Sequence, residues 1–191
     1  MALELVTIPC LADNYCFLMH CSETGDTAVI DVPEAAPVSA ALRERGWALT
    51  HVLLTHHHYD HIDGLEELKA EYPDAVVIGA EADAHRLPPL DLRVKEGDTI
   101  TIGNLTGRVV EMRGHSPCGI AIIFENEKVV ISGDALFAGS VGRADLEGGD
   151  MQAQVRDIRE KLLVLDDETV VCPGHGPTTT VGREKRFNPY F

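Results

Sequence analysis

Residues 53–64, LLTHHHYDHIDG, set four of the chain's nine histidines among six consecutive positions, with an aspartate before the last of them. Imidazole is a poor core filler and an ordinary surface group, and neither role calls for crowding. Metal ligation does, because imidazole nitrogen and carboxylate oxygen are donors that zinc, iron and manganese accept. His56 and His58 lie two apart, so in an extended segment their side chains leave on the same side. Asp60 and His61 fall where the chain turns toward a helix and can face another way. His57 points away from both directions and is not expected to ligate.

Three more candidates follow the ends of expected strands: His115 after GRVVEMRG, Asp134 after KVVISG and His175 after ETVVCPG. Loops at strand ends are where a rigid scaffold presents its working side chains. His56, His58 and His115 would make one face of three imidazoles. Asp60, His61 and His175 would make a second, and Asp134 has two carboxylate oxygens with which to bridge them. The cofactor expected is a pair of divalent metal ions, zinc ahead of iron or manganese. Asp31, at another strand end, would accept the outer N–H of a ligand histidine or serve as a plain turn residue. His20, His51 and His85 have no such partners in sequence and are expected to be structural.

Those loops need strands to carry them. LELVTIP, YCFLMHC, TAVIDV, LTHVLLT and AVVIG read as strands in the first half, by β-branched and aromatic content between turn residues. EAAPVSAALRERG and GLEELKAEYP read as helices, ended by Gly46 and Pro73 respectively. HRLPPLDLR reads as a loop. DTITIG, LTGRVVEMR, GIAIIFE and KVVISGD follow as strands, then one long helix over roughly 150–163, then a last strand in ETVVCPGHG. Strands and helices, repeated once without a linker, predict an αββα sandwich of two mixed sheets flanked by helices.

The chain has 191 residues, 45% of them hydrophobic, enough for one domain spanning 1–191 with a substantial core. Its net charge of −15 argues against a broad nucleic-acid footprint. Five cysteines without a C-x-x-C pair read as free thiols of a reducing, cytoplasmic compartment. No leader pattern and no membrane-spanning run stand out.

The motifs THHHYDH, GHSP, SGDALF and PGHG together resemble the metallo-β-lactamase superfamily, across essentially the whole chain. The resemblance implies metal one on His56, His58 and His115, metal two on Asp60, His61 and His175, and Asp134 between them. PCLADNYCFLM, VIDVPEAAPVSAAL and GDALFAGSVGR are more narrowly similar to the glyoxalase II (hydroxyacylglutathione hydrolase) family. That implies a thioester hydrolase acting on S-acylglutathione such as S-lactoylglutathione, in which a hydroxide between two metals about 3.5–4 Å apart attacks the carbonyl. Asp60 and Asp134 would be the catalytic carboxylates, with Asp60 placed to take up a proton.

Arg143 would recognise an anionic group of the substrate, or form a structural ion pair. Tyr59 would line the pocket or pack on the next helix. Two departures from the family stand out. The C-terminal helical domain that grips glutathione is missing from the pattern, and Cys118 stands where the family has glycine. Cys118 reads as a small buried residue rather than an extra ligand. Arg183, Lys185 and Arg186 would stand in for the missing grip, or belong to a solvated tail. A persulfide dioxygenase with one iron, a hydrolase of another ester or amide, and a metal-binding protein without turnover are the competing readings.

Overall fold

The computed structural model describes residues 2–191. One six-stranded sheet runs β1 (Leu3–Cys10), β2 (Asn14–Cys21), β3 (Thr27–Ile30), β4 (His51–Leu53), β5 (Val76–Ala80) and β6 (Leu92–Val94) in spatial order. Its first three strands pair antiparallel, and β3 to β6 pair parallel. The second sheet has the order β14-β13-β10-β9-β8-β7. Its members are β7 (Thr99–Ile102), β8 (Leu105–Met112), β9 (Gly119–Phe124), β10 (Val129–Gly133), β13 (Val170–Pro173) and β14 (Thr179–Thr180). Only β10 and β13 pair parallel there. A small hairpin of β11 (Leu136–Phe137) and β12 (Ser140–Val141) follows β10.

Alternation along the strands builds the layers. In β2, Phe17 and Met19 enter the space between the sheets, where they share a core with Ile120, Ile122 and Phe124 of β9. The intervening Cys16 and Leu18 face the other way, into a second core with Val38 and Leu42 of α1 (Ala35–Arg45) and Leu65 and Leu68 of α3 (Leu65–Glu71). The outer face of the second sheet, Ala121 and Ile123, packs on Ile158, Leu162 and Val181. Strands buried on both faces read as unbroken apolar runs, which is why GIAIIF is buried at every position. Four layers result, helix, sheet, sheet, helix, as the patterning predicts.

Some elements differ from the expectation. The long helix is α4 (Met151–Asp157) followed by a π-helical turn, Ile158–Leu162, in which Leu163 N–H bonds to Ile158 C=O at 2.9 Å. The Asp150 carboxylate caps its start by accepting from the N–H groups of Gln152 and Ala153. The two-proline loop contains β6, too short to betray itself by alternation. The basic tail is not a tail: Arg183, Lys185 and Arg186 sit on α5 (Val181–Phe187), where Lys185 and Arg186 pair with Asp167. None of the three lines the cleft over the candidate ligands. Among the described residues, no helix is long and apolar enough to cross a membrane.

Candidate metal centre

The ligand loops leave the strands of both sheets at one edge of the sandwich. β4 runs into residues 54–58 and the short helix α2 (Tyr59–Ile62). His115 lies between β8 and β9, Asp134 directly after β10, and His175 two residues after β13. The structure brings the candidates together as two groups, His56 with His58 and His115, and Asp60 with His61 and His175, each with donor atoms within 4.8 Å of one another.

Asp134 stands between the groups. Its Oδ1 is 3.4 Å from His61 Nε2, and its Oδ2 is 3.4 Å from His115 Nε2 and 3.3 Å from His175 Nε2. Asp60 Oδ2 is 3.3 Å from His175 Nε2 and 3.7 Å from His61 Nε2. His58 presents Nδ1, 2.9 Å from His115 Nε2.

Neighbouring groups hold the outer nitrogens, and so decide which atom faces inward. Asp31 Oδ2 accepts from His61 Nδ1 at 2.9 Å and from the Thr55 hydroxyl at 2.7 Å. Thr55 Oγ1 accepts in turn from His56 Nδ1 at 3.0 Å. The Arg143 carbonyl accepts from His115 Nδ1 at 2.8 Å. His56, His61 and His115 therefore turn Nε2 inward, while His58 presents Nδ1. Asp31, His56 and His61 also lie within ligating distance of one another, but Asp31 spends both oxygens on these bonds and on Thr55 N–H at 2.8 Å. Asp31 orients the site, and its backbone is turned to φ 56 to do so, a strained setting of roughly 1–3 kcal/mol for a residue other than glycine.

These donors fit metal ions. His56 Nε2, His61 Nε2 and Asp134 Oδ1 are buried with no hydrogen-bond partner. An unmade buried bond costs about 1–3 kcal/mol for each group, and three converging here call for a cation.

The family profile of the metallo-beta-lactamase superfamily matches residues 13–175, spanning every one of these candidate donors. The chain belongs to that superfamily. A hydroxyacylglutathione hydrolase of Cereibacter sphaeroides is 53% identical over 175 residues, which cover 92% of this chain and 67% of that protein. Among solved structures, the BLEG-1 B3 metallo-beta-lactamase superposes with a TM-score of 0.91 at 27% identity, covering 98% of this chain and 99% of that one. TTHA1623 in a di-iron-bound form superposes with a TM-score of 0.85 at 32% identity, covering 98% of this chain and 100% of that one.

His57 turns away from the centre of this superfamily site. Its Nδ1 lies 2.8 Å from Asp83 Oδ2, a fully buried carboxylate whose Oδ1 accepts from Arg86 Nε at 2.7 Å. Cys118 is half-buried and meets Arg86 at 3.5 Å, and it belongs to neither ligand group. His20 stacks on Trp47 with ring centroids 4.1 Å apart, His51 bonds Thr50, and His85 is exposed. All five cysteines are free thiols. Sequence reasoning missed Asn14, Thr55 and Asp83. Thr55 had a signal, since it opens THHHYDH, while Asn14 and Asp83 lie in segments with no metal pattern.

A cleft of about 660 Å³ opens over the ligands. Tyr59, Phe137 and Leu146 give it apolar walls, and Arg143 is its one cationic residue apart from the histidines. Tyr59 is 72% exposed and so lines the cleft rather than packing on α3. Arg143 pairs with Asp145 through Nε at 2.7 Å and Nη2 at 2.8 Å. Both partners are exposed, so this pair contributes little to stability.

The two donor groups differ in charge. Burial, then neighbouring rings, pushes His58 down to about 4 and His56 downward, and burial lowers His115 against the pull of Asp134, so the first group is neutral at pH 7. Asp134 and Asp60 push His175 up to about 10. Against burial, Asp134 and Asp31 hold His61 protonated well above its ordinary range. Metal must displace protons from the second group and not from the first.

Second-metal affinity is therefore expected to rise with pH up to about 10, the value of His175, and first-metal affinity to stay flat above neutrality. Calorimetry in two buffers of different ionisation enthalpy checks this, since only the second step should change its heat. In the metal-free chain, His175 has a raised pKa. Its contribution to stability is full below about 6.5 and is lost as pH rises through about 10.

Proposed function

We propose that the chain hydrolyses S-acylglutathione or a related small thioester, using two divalent metal ions, zinc first among them. The observation that carries this reading is the completeness of the second donor group at the floor of an open cleft. Asp60, His61 and His175 gather as closely as the three imidazoles of the first group, which supplies the donors a second ion needs. The relatives named hydroxyacylglutathione hydrolase support the substrate class.

Ions bound here would supply Lewis acidity toward a carbonyl oxygen and a nucleophile at neutral pH. The chain's own residues do the rest. Asp31, Thr55 and the Arg143 carbonyl fix the tautomers of His61, His56 and His115. Asp134 sets the spacing of the two groups. Asp60 lines the cleft half-buried, where its carboxylate receives the proton released during attack. Phe137, Leu146 and Tyr59 pack on the acyl and carrier chains, and a carboxylate of the carrier takes the place of Asp145 on Arg143. Bidentate pairing suits guanidinium to that exchange.

The test pairs elemental analysis with hydrolysis of S-lactoylglutathione. Two metal ions per chain with turnover is the result expected. One iron per chain, oxygen consumption with glutathione persulfide and no hydrolysis would replace this reading with sulfur oxidation.

A further inference from the structure

The three-residue turn between β1 and β2 reaches across to the second sheet. Asn14, the first residue of β2, forms a backbone bridge with His175. Tyr15 N–H donates to Gly174 C=O at 2.8 Å, and Gly176 N–H donates to Asp13 C=O at 3.4 Å. The turn is thus sewn to the loop that carries His175. The Asn14 side chain, 4% exposed, points to the other ligand loop. Its Nδ2 donates to the Asp60 carbonyl at 3.0 Å and to Asp60 Oδ2 at 3.0 Å, and lies 3.5 Å from His175 Nε2.

We propose that Asn14 is a positioning residue for the second metal ion, its amide holding Asp60 against His175 across the seam between the two sheets. This rests on the two-metal reading above. Asp60 comes from the β4 side and His175 from the β13 side, so no strand pairing fixes their separation. Asn14 touches both loops at once, one by main chain and one by side chain. An amide suits the task because its nitrogen donates without adding charge beside a carboxylate. The Asp60 rotamer is thus held with no cation added beside it. The first group has no such dependence: His56, His58 and His115 take their orientation from Thr55, Arg143 and one another.

The consequence is selective. Partners that orient a ligand are worth about 10–100-fold in metal affinity, and here the loss should fall on one ion of the two. The experiment titrates metal-free parent, Asn14→Ala and Asn14→Ser with zinc by calorimetry, with elemental analysis after gel filtration. The first zinc is expected to bind all three alike. The second should weaken by about 10–100-fold in Asn14→Ala, and by less in Asn14→Ser, whose hydroxyl retains one donor. A second step unchanged from the parent would overturn the proposal. So would loss of both steps together, or of the fold, because Asn14 would then be scaffold. A parent that binds a single zinc would instead overturn the two-metal reading on which the proposal stands.

Discussion

Asp134→Ala is expected to lower hydrolysis by at least about 10²–10³-fold and to leave less than two metal ions per chain. The carboxylate places its oxygens beside the inward-facing nitrogens of both donor groups, His61 through Oδ1 and His115 and His175 through Oδ2. On the two-metal reading proposed above, its removal takes one donor from each ion. Asp134→Asn keeps the shape and loses the charge, and should fall between parent and alanine variant. A second effect follows from its role in holding protons. Asp134 is among the groups that keep His61 and His175 protonated in the metal-free chain. Without it their pKa values fall, so the pH dependence of any remaining binding at the second group moves to lower pH. Elemental analysis with an S-lactoylglutathione assay decides the matter. If the alanine variant keeps both ions and its rate, Asp134 does not bridge.

The clustering of the candidate donors was legible because much of it was written locally. H-x-H-x-D-H packs four donors of both groups into one turn of chain, and spacing alone separated His57 from its neighbours. The remaining three each followed a β-rich run, so their place at one sheet edge came with the fold class. Asp31 was legible as a strand-end carboxylate, but its left-handed backbone was not, since the bonds that hold it there run to Leu53, Thr55 and His61, all more than twenty positions away. What stayed hidden was long-range. Asn14 meets Asp60 across 46 positions and Asp83 meets His57 across 26, and neither asparagine nor aspartate in a turn announces a distant partner. The π-helical turn after Asp157 hid for another reason. Ile158 and Leu162 fit an α-helical stripe equally well, and the tighter or wider winding depends on the sheet face beneath. Arg143 was open between an anion-binding role and an ion pair; it lines the cleft and pairs with Asp145, a partner that nothing in sequence named.

Gly174→Ala should be nearly as damaging as loss of a ligand, although glycine holds no metal. A Cβ there would sit 2.3 Å from Asp134 Oδ1 and 2.6 Å from His61 Cε1, where no carbon fits. The backbone cannot retreat. Gly174 N–H is bonded to Gly133 C=O at 3.0 Å, and its own C=O accepts from Tyr15 N–H at 2.8 Å. The strain must go into Asp134 and His61, and a displacement near 1 Å at a reacting centre costs about 10²-fold in rate. Overpacking of this kind also removes roughly 1–3 kcal/mol of stability. Gly176→Ala separates the two effects. Gly176 has φ 72 and open space around its Cβ position, so that variant carries backbone strain of about 1–2 kcal/mol without intruding on the ligands. Thermal melts of the metal-free proteins should fall for both variants. Zinc content after gel filtration should fall only for Gly174→Ala, with the second ion lost first. A Gly174→Ala protein that binds two zinc ions as tightly as the parent would mean that Asp134 and His61 have room to move, and that the centre tolerates ångström-scale shifts in its bridging carboxylate.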